Sequence, residues 1–208
     1  MNTTQTNEWF ILTPAGVLHA FARKNADESE LALQSLLTGA RTLDAASWVS
    51  MAPGAASTAA MALEQGWVER LKRPLQGPDA RLDDFLQQVI ASLSGERRAV
   101  LASESGFCLA HTGMSQDEAD ALSAAVADYS DFAARQARRG WEGASRYVSF
   151  HSDPEFLLPS YCFIPFWVDE SGYWLALAGE PLLNNPALVE LLWSIKQAGT
   201  RFSQSGGV

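Results

Sequence analysis

The sequence contains few of the residues that build metal centres, disulfide scaffolds and membrane spans. It has 2 Cys and 3 His in 208 residues, and Cys108 and Cys162 each stand alone within an apolar run. No Cys or His spacing is typical of a zinc site, and this chain is apolar enough to build a core without disulfides. No apolar run approaches 18 residues, and the start lacks a signal-peptide pattern. We therefore expect a soluble, cytoplasmic protein that binds no metal and no membrane.

Motifs for phosphate binding and nucleophilic catalysis are missing as well. The sequence has no GxxxxGK[ST] loop, no GxGxxG after a strand and no GxSxG turn. His19, His111 and His151 lie far apart, without metal-ligand spacing. The acidic pair Asp83-Asp84 fits a helix start, and Asp169-Glu170 fits a solvated turn. We expect neither enzymatic activity nor a cofactor.

The charge of the chain does not favour a nucleic-acid partner. The net charge is −9, although 47% of the residues are hydrophobic and seven are Trp. Phosphate binding requires Lys and Arg clustered on one surface, whereas large aromatic rings favour cores and protein interfaces. We therefore expect a protein partner and not a nucleic acid.

The first third of the chain has the pattern of short helices followed by a strand. Helices are predicted after Thr13-Pro14, after Asp27 with Glu30 three positions later, after the cap Thr42, and over 55–65. The stretch "WVERLKRP" alternates as a strand does. Over residues 28–73 this order resembles a winged helix-turn-helix. We assign residues 1–75 to a winged-helix-like domain, whose end falls within the Pro- and Gly-containing connection 73–80.

The residues of the predicted recognition helix argue against DNA reading. From Thr42 to Trp67 the sequence has no Lys or Arg, whereas base-reading helices need hydrogen-bonding side chains flanked by phosphate-neutralising ones. A dimeric transcription regulator that binds DNA is therefore the alternative function, and docking of a protein partner is favoured. The candidate contacts of either kind are Ser57, Thr58, Arg70, Lys72 and Arg73.

The remainder predicts helix, hairpin, helix, three strands and helix. An amphipathic helix runs from the cap Asp79 to Gly95, and the apolar runs around Ser103–Gly106 form a hairpin. A capping box of Ser115 and Glu118 opens an alanine-rich helix that ends near Arg139. Strands are predicted over 144–152, 160–168 and 173–179, the second irregular at Pro165, and a helix follows Asn185-Pro186. We assign 80–203 to one domain and 204–208 to a flexible tail.

This second domain resembles the roadblock family, the dynein-light-chain-related domains that also occur in bacterial regulators of small GTPases. The resemblance is carried by "RRAVLASESGFCLAHTG", "DEADALSAAVADYSDFAARQA" and "YWLALAGE". It implies an α+β protein in which an antiparallel five-stranded sheet, in the order α-ββ-α-βββ-α, is flanked by helices. The extra residues "PEFLLPS" depart from the family pattern.

The resemblance also implies a homodimer, because roadblock domains pair through their second helix and the strand that follows it. On this basis the chain is a non-enzymatic regulator or scaffold whose second partner is a protein, a small GTPase by analogy, whose nucleotide cycle it modulates. A small-molecule sensor is a third interpretation, since related folds share this layering. The residues implied in the dimer interface are Leu122, Val126, Tyr129, Ala133, Tyr147, Val148, Ser149 and Phe150.

Overall fold

A computed structural model describes residues 8–78, 82–141, 146–155 and 157–205, and only the backbone over 82–85 and 199–205. Its internal contacts divide the chain into two units. The amino-terminal unit extends to Ala80 and also includes the residues from Val189 onward, and the second unit comprises Arg81–Leu188. The predicted boundaries, 1–75 and 80–203, stay a prediction, because this grouping cuts within the last helix.

The amino-terminal unit contains a three-stranded antiparallel sheet with β1 (Trp9–Leu12) at its centre. β2 (Leu43–Asp44) and β3 (Val68–Leu71) pair with β1 on either side. Four helices connect them: α1 (Pro14–Ala20), α2 (Glu28–Gln34), α3 (Ala45–Met51) and α4 (Ala55–Glu64). The buried apolar side chains of this part of the chain include those of Leu12, Phe21, Leu33 and Trp48.

The caps of these helices follow the sequence prediction with one exception. Thr13 caps α1, and Asp27 and Glu30 form the predicted capping box of α2. The prediction of Thr42 as a cap was wrong, because Asp44 accepts the hydrogen bond from Ser47 N–H that caps α3. The Thr42 hydroxyl instead accepts from the Leu75 N–H at 3.0 Å.

The second unit contains a five-stranded antiparallel sheet in the order β5-β4-β8-β7-β6. The predicted hairpin is present as β4 (Ala99–Ser103) and β5 (Cys108–Thr112), and its turn contains Gly106 with φ of +86°. The long helix α6 (Gln116–Ala137) follows, then β6 (Val148–Phe150), β7 (Tyr161–Val168) and β8 (Ser171–Ala178). The mixed helix-and-strand class and the five-stranded antiparallel sheet predicted from sequence are confirmed.

The core of this unit lies between α6 and one face of the sheet. Its fully enclosed members come from α6, β4, β7 and β8, and small side chains allow the helix to lie close to the strands. Because one stripe of α6 fills this core, the opposite stripe remains at the surface. The core is formed by Val100, Ala102, Ala119, Val126, Phe163, Trp174 and Ala176.

One further helix precedes these strands in the sequence and another follows them. α5 (Leu82–Ala91) contacts β4 and β5, while its predicted cap, Asp79, lies outside the described residues. The last helix, α7 (Pro186–Ser205), begins with the predicted cap, since the Asn185 side chain accepts from the Ala187 N–H at 3.0 Å. Over the described residues, no helix is both long and apolar enough to cross a membrane.

The irregularity predicted at Pro165 does not occur. β7 and β8 keep one register from Tyr161↔Ala178 to Val168↔Ser171, with Pro165 opposite Trp174. β6 begins opposite Phe163, so among the described residues Pro165 has a neighbouring strand, β8, on one side only. A proline is tolerated where a strand lacks a neighbour.

Candidate functional site

The edge strand β6 has an open side. Among the described residues it pairs with β7 alone, in the register Val148↔Phe163 to Phe150↔Tyr161. Its residues Ser149 and Phe150 are exposed, Phe150 to 44%, as is the preceding Tyr147. An edge strand presents unpaired N–H and C=O groups that can pair with another chain. The predicted pairing edge is therefore an edge of the sheet.

Aromatic side chains of α6 continue the apolar surface beside this edge. The Tyr129 ring stacks on Phe150 with ring centroids 5.7 Å apart, and also contacts Phe163 edge-on at 4.9 Å. Phe132 and Trp141 meet edge-on at 6.2 Å and are 40% and 57% exposed. We name the side chains of Tyr129, Phe132, Trp141, Tyr147 and Phe150 the edge patch.

Sequence reasoning missed two members of the edge patch. Phe132 lies three positions after Tyr129, on the next turn of the same helix, and Trp141 directly follows Gly140, which has φ of +84°. An aromatic residue after the glycine that ends a helix is one available signal, because the chain turns back there toward the helix. Without the fold, this signal does not indicate which surface the aromatic ring joins.

The structure separates the predicted interface residues into two groups. Val126 has no exposed surface and packs against the sheet of its own chain, and Ala133 is 6% exposed. Leu122, Tyr129 and Val148 are partly buried against the same core. Val126 offers a second chain no surface and Ala133 offers very little, so both are left out of the interface proposed below.

The phenol of Tyr147 is anchored beneath the edge. Its O–H donates to Cys162 Sγ at 2.9 Å. Burial, followed by this hydrogen bond, raises the pKa of Tyr147 well above its usual range. Burial likewise raises the pKa of the Cys162 thiol, and a thiol kept protonated is a poor nucleophile.

A polar cluster fixes the start of α6 on the sheet. The Arg98 guanidinium binds the Glu118 carboxylate and donates to the Tyr161 hydroxyl at 3.1 Å. Tyr161 in turn donates to Glu118 at 2.5 Å. One half of the predicted capping box is present, since the Ser115 hydroxyl accepts from the Glu118 N–H at 3.3 Å. The Glu118 carboxylate binds Arg98 and Tyr161 instead. The cluster joins Arg98, directly before β4, to α6 and β7.

The candidate DNA or partner contacts of the amino-terminal unit differ in exposure and in the partners of their side chains. Thr58 is 3% exposed, and Ser57 donates to the Gly54 carbonyl at 2.9 Å. Arg70 forms an ion pair with Glu8, whereas Lys72 and Arg73 are exposed. Over the part of the chain that the structure describes, no group of three or more His, Cys, Asp or Glu is placed to hold a metal ion.

Comparisons with known proteins return one distant likeness. No family model and no curated protein matches the chain. A solved Roadblock/LC7 domain from Streptomyces avermitilis is similar over 61% of this chain and 99% of its own length, with 16% identity and a TM-score of 0.35. A TM-score this low carries no argument about fold or function.

Proposed function

We propose that this chain is a non-enzymatic regulator or scaffold that forms a homodimer through β6 and the edge patch, and that the dimer binds a protein partner. The observation that carries the proposal is an open strand edge with the partly buried ring of Tyr129 stacked on it, together with the exposed rings of Phe132 and Trp141. Aromatic side chains are enriched in interfaces, and a two-fold dimer is the commonest homo-oligomer.

The short length of β6 explains why side chains matter to this association. Three residues, Val148–Phe150, offer few backbone hydrogen bonds to a second copy, so pairing of the edge alone is weak. The rings beside it add apolar area, which supplies about 25 cal/mol for each Å² removed from water. Edge and rings together form one surface.

Sedimentation or light scattering of matched variants tests this surface. Phe132→Glu places a charge within the edge patch, while Leu31→Glu makes a comparable change at a leucine that is 54% exposed in the amino-terminal unit. We expect Phe132→Glu to shift the protein toward the monomer at tens of micromolar and Leu31→Glu to leave the dimer intact. Equal behaviour of the two variants would contradict the proposal.

A small GTPase is the protein partner that the roadblock resemblance implies. The chain would modulate the nucleotide cycle of that GTPase without chemistry of its own. The test is capture of proteins from the source cell on immobilised chain, in the presence of GDP or of a non-hydrolysable GTP analogue. A GTPase retained in one nucleotide state supports this partner, and capture of nucleic acid alone contradicts it.

The winged-helix transcription regulator is not proposed. A DNA-reading helix presents hydrogen-bonding side chains flanked by cations, whereas α4 contains no Lys or Arg and its Thr58 is buried. No observation in the described residues favours it over a protein-binding role.

A further inference from the structure

The loop that joins β6 to β7 combines acidic and apolar side chains and contains no Lys or Arg. Its described residues are 151–155 and 157–160. Glu155 is exposed, and its N–H donates to the half-buried Asp153 carboxylate at 2.8 Å. Leu157 and Leu158 follow, with 72% and 60% of their surface exposed. We name residues 151–160 the β6–β7 loop. It presents a carboxylate and two leucines at the surface.

The end of α6 has the complementary character. From Phe132 to Trp141 the sequence contains three Arg and no acidic residue. The chain turns at Gly140, and the Trp141 N–H donates to the Gln136 carbonyl at 3.0 Å. Such a glycine-ended turn folds the next residue back onto the helix, which accounts for the contact of Trp141 with Phe132. This end therefore presents two exposed rings next to exposed cations.

We propose that the β6–β7 loop of one protomer binds the end of α6 and the start of β6 in a second copy. The carboxylates of the loop pair with Arg139 and Arg146 of that copy, and its leucines cover the Trp141 ring. The proposal rests on the self-association proposed above and names the contacts that orient it.

The direction of α6 brings its end to the start of β6. Glu118, in the first turn of α6, accepts from Tyr161, which is opposite Phe150 at the end of β6. Tyr129, eleven positions later, contacts Phe163, which is opposite the first residue of β6. The helix thus crosses the sheet from the end of β6 toward its start, and the residues after Tyr129 continue beyond that start.

The rings at the end of α6 lie on the side of the helix that faces β6. Tyr129 stacks on Phe150 of the edge strand, and Phe132 is on the next turn of the same side. Arg139 comes seven positions after Phe132, which is about two turns, and therefore lies near that side as well. Arg146 is exposed and directly precedes Tyr147, the residue before β6.

Antiparallel pairing of β6 with its own copy brings the β6–β7 loop to this surface. When the two strands pair around Ser149, Phe150 of one lies opposite Val148 of the other. Continued outward, this register sets Ser152 opposite Arg146, and the acidic residues of the loop follow directly. Five extended residues span about 16 Å, so the loop is long enough to reach the end of α6. A two-fold axis makes each contact occur twice.

A second copy is the occupant that charge and position favour. A chain of net charge −9 repels its own copy, so a cation at the joined edge has a large effect. The ion pairs among the described residues involve neither Arg139 nor Arg146. The loop supplies two carboxylates for these two cations, and the pairing of β6 fixes where they lie.

Charge exchange between the two surfaces tests the proposal. We expect Asp153→Lys with Glu155→Lys to raise the dimer dissociation constant, measured by sedimentation, about tenfold, and Arg139→Glu with Arg146→Glu to do the same. Like charges then meet at both contacts of each homodimer. An equal mixture of the two variants should form a heterodimer about as tight as the wild-type dimer, because opposite charges meet again. Formation of that heterodimer also demonstrates that both variants fold.

Matched variants separate local from overall charge. Glu64→Lys with Glu69→Lys, and Lys72→Glu with Arg73→Glu, change the net charge by the same amounts at exposed residues of the amino-terminal unit. We expect each to change the dissociation constant less than about twofold, and their mixture to show no preference for the heterodimer. If these variants behave like those of the loop and of α6, the proposal fails.

Arg138 provides a control at the same end of α6. It comes eleven positions, or about three turns, after Ala127, which lies against Gly106 of the β4–β5 turn. Arg138 therefore lies on the side toward β5, away from the proposed contact. We expect Arg138→Glu to leave the dissociation constant nearly unchanged, whereas Arg139→Glu raises it several-fold. Equal effects of the two substitutions would contradict the proposed contact.

Photo-cross-linking tests the apolar contact. With Leu157 replaced by p-benzoylphenylalanine, we expect cross-links between chains to peptides that contain Trp141. A dimer whose cross-links avoid this part of the second chain, or whose charge-exchanged variants form no heterodimer, overturns the proposal and leaves the dimer itself in place. A wild-type chain that stays monomeric would instead contradict the proposed function.

Discussion

At the scale of the residue, Val126 marks the difference between a core position and an interface position. The helical spacing of Leu122, Val126, Tyr129 and Ala133 was sufficient to predict one buried stripe but not what buries it. The same spacing is found whether the stripe packs against the sheet of its own chain or against a partner chain. In the structure the sheet of the same chain covers Val126 completely.

Truncation of Val126 should therefore reduce stability without reducing association. Val126→Ala removes two methyl groups from an enclosed site, and we expect the free energy of unfolding to fall by on the order of 2 kcal/mol. Urea unfolding followed by Trp fluorescence measures this, with Val49→Ala, at a half-exposed helical valine, as the control that stays within about 0.5 kcal/mol. A lost dimer with unchanged stability would place Val126 in the interface after all.

The tyrosines predict a dependence of stability on alkaline pH. Burial raises the pKa of Tyr129, Tyr147, Tyr161 and Tyr173, with the hydrogen bond to Glu118 as a further cause at Tyr161. The folded chain thus favours neutral phenols. This contribution is complete below the pKa of an unfolded tyrosine, about 10, and is lost as the pH rises toward the higher folded pKa values.

Absorbance of tyrosinate near 295 nm checks this directly. We expect the urea-unfolded chain to titrate near pH 10 and the folded chain to remain in the phenol form beyond that pH, until it unfolds. These four residues are all the tyrosines of the sequence, so the signal has no other phenolic source. Ionisation of the folded chain near pH 10 would contradict the raised pKa of these phenols.

At the scale of the element, sequence patterns predicted the helices and the hairpin because their signals are local. The Thr13 and Ser115 caps, the Asp27 box and the glycine in the hairpin turn each act within a few residues. The bounds of β8 differ from the prediction by two residues at its start. Ends of elements depend on pairing with distant strands, which periodicity does not contain.

Strand β1 illustrates what local pattern could not provide. Trp9–Leu12 is a run of four apolar residues, which fits a helix or a buried strand equally well. Its central position between β2 and β3 arises from pairing with residues more than 30 and more than 50 positions away. The winged-helix resemblance predicted helices and a strand here but did not place this strand in the middle of the sheet.

At the scale of the whole molecule, the open edge of β6 was predictable and the rings beside it were only partly so. The edge followed from the roadblock resemblance, which implies that the strand directly after the long helix is the pairing edge. The edge patch depends on where α6 crosses the sheet, which brings Tyr129 against Phe150, with Phe132 one turn further along the helix and in contact with Trp141. That crossing is a tertiary property of the core.

The molar mass of the wild-type chain in solution tests the central claim most directly. The account predicts that sedimentation equilibrium between about 0.1 and about 50 μM gives a mass rising from that of one chain, 22.6 kDa, toward twice that value and no further, because pairing consumes the single β6 edge of each chain. A mass that stays at one chain throughout, or that grows past two without limit, would contradict self-association through β6.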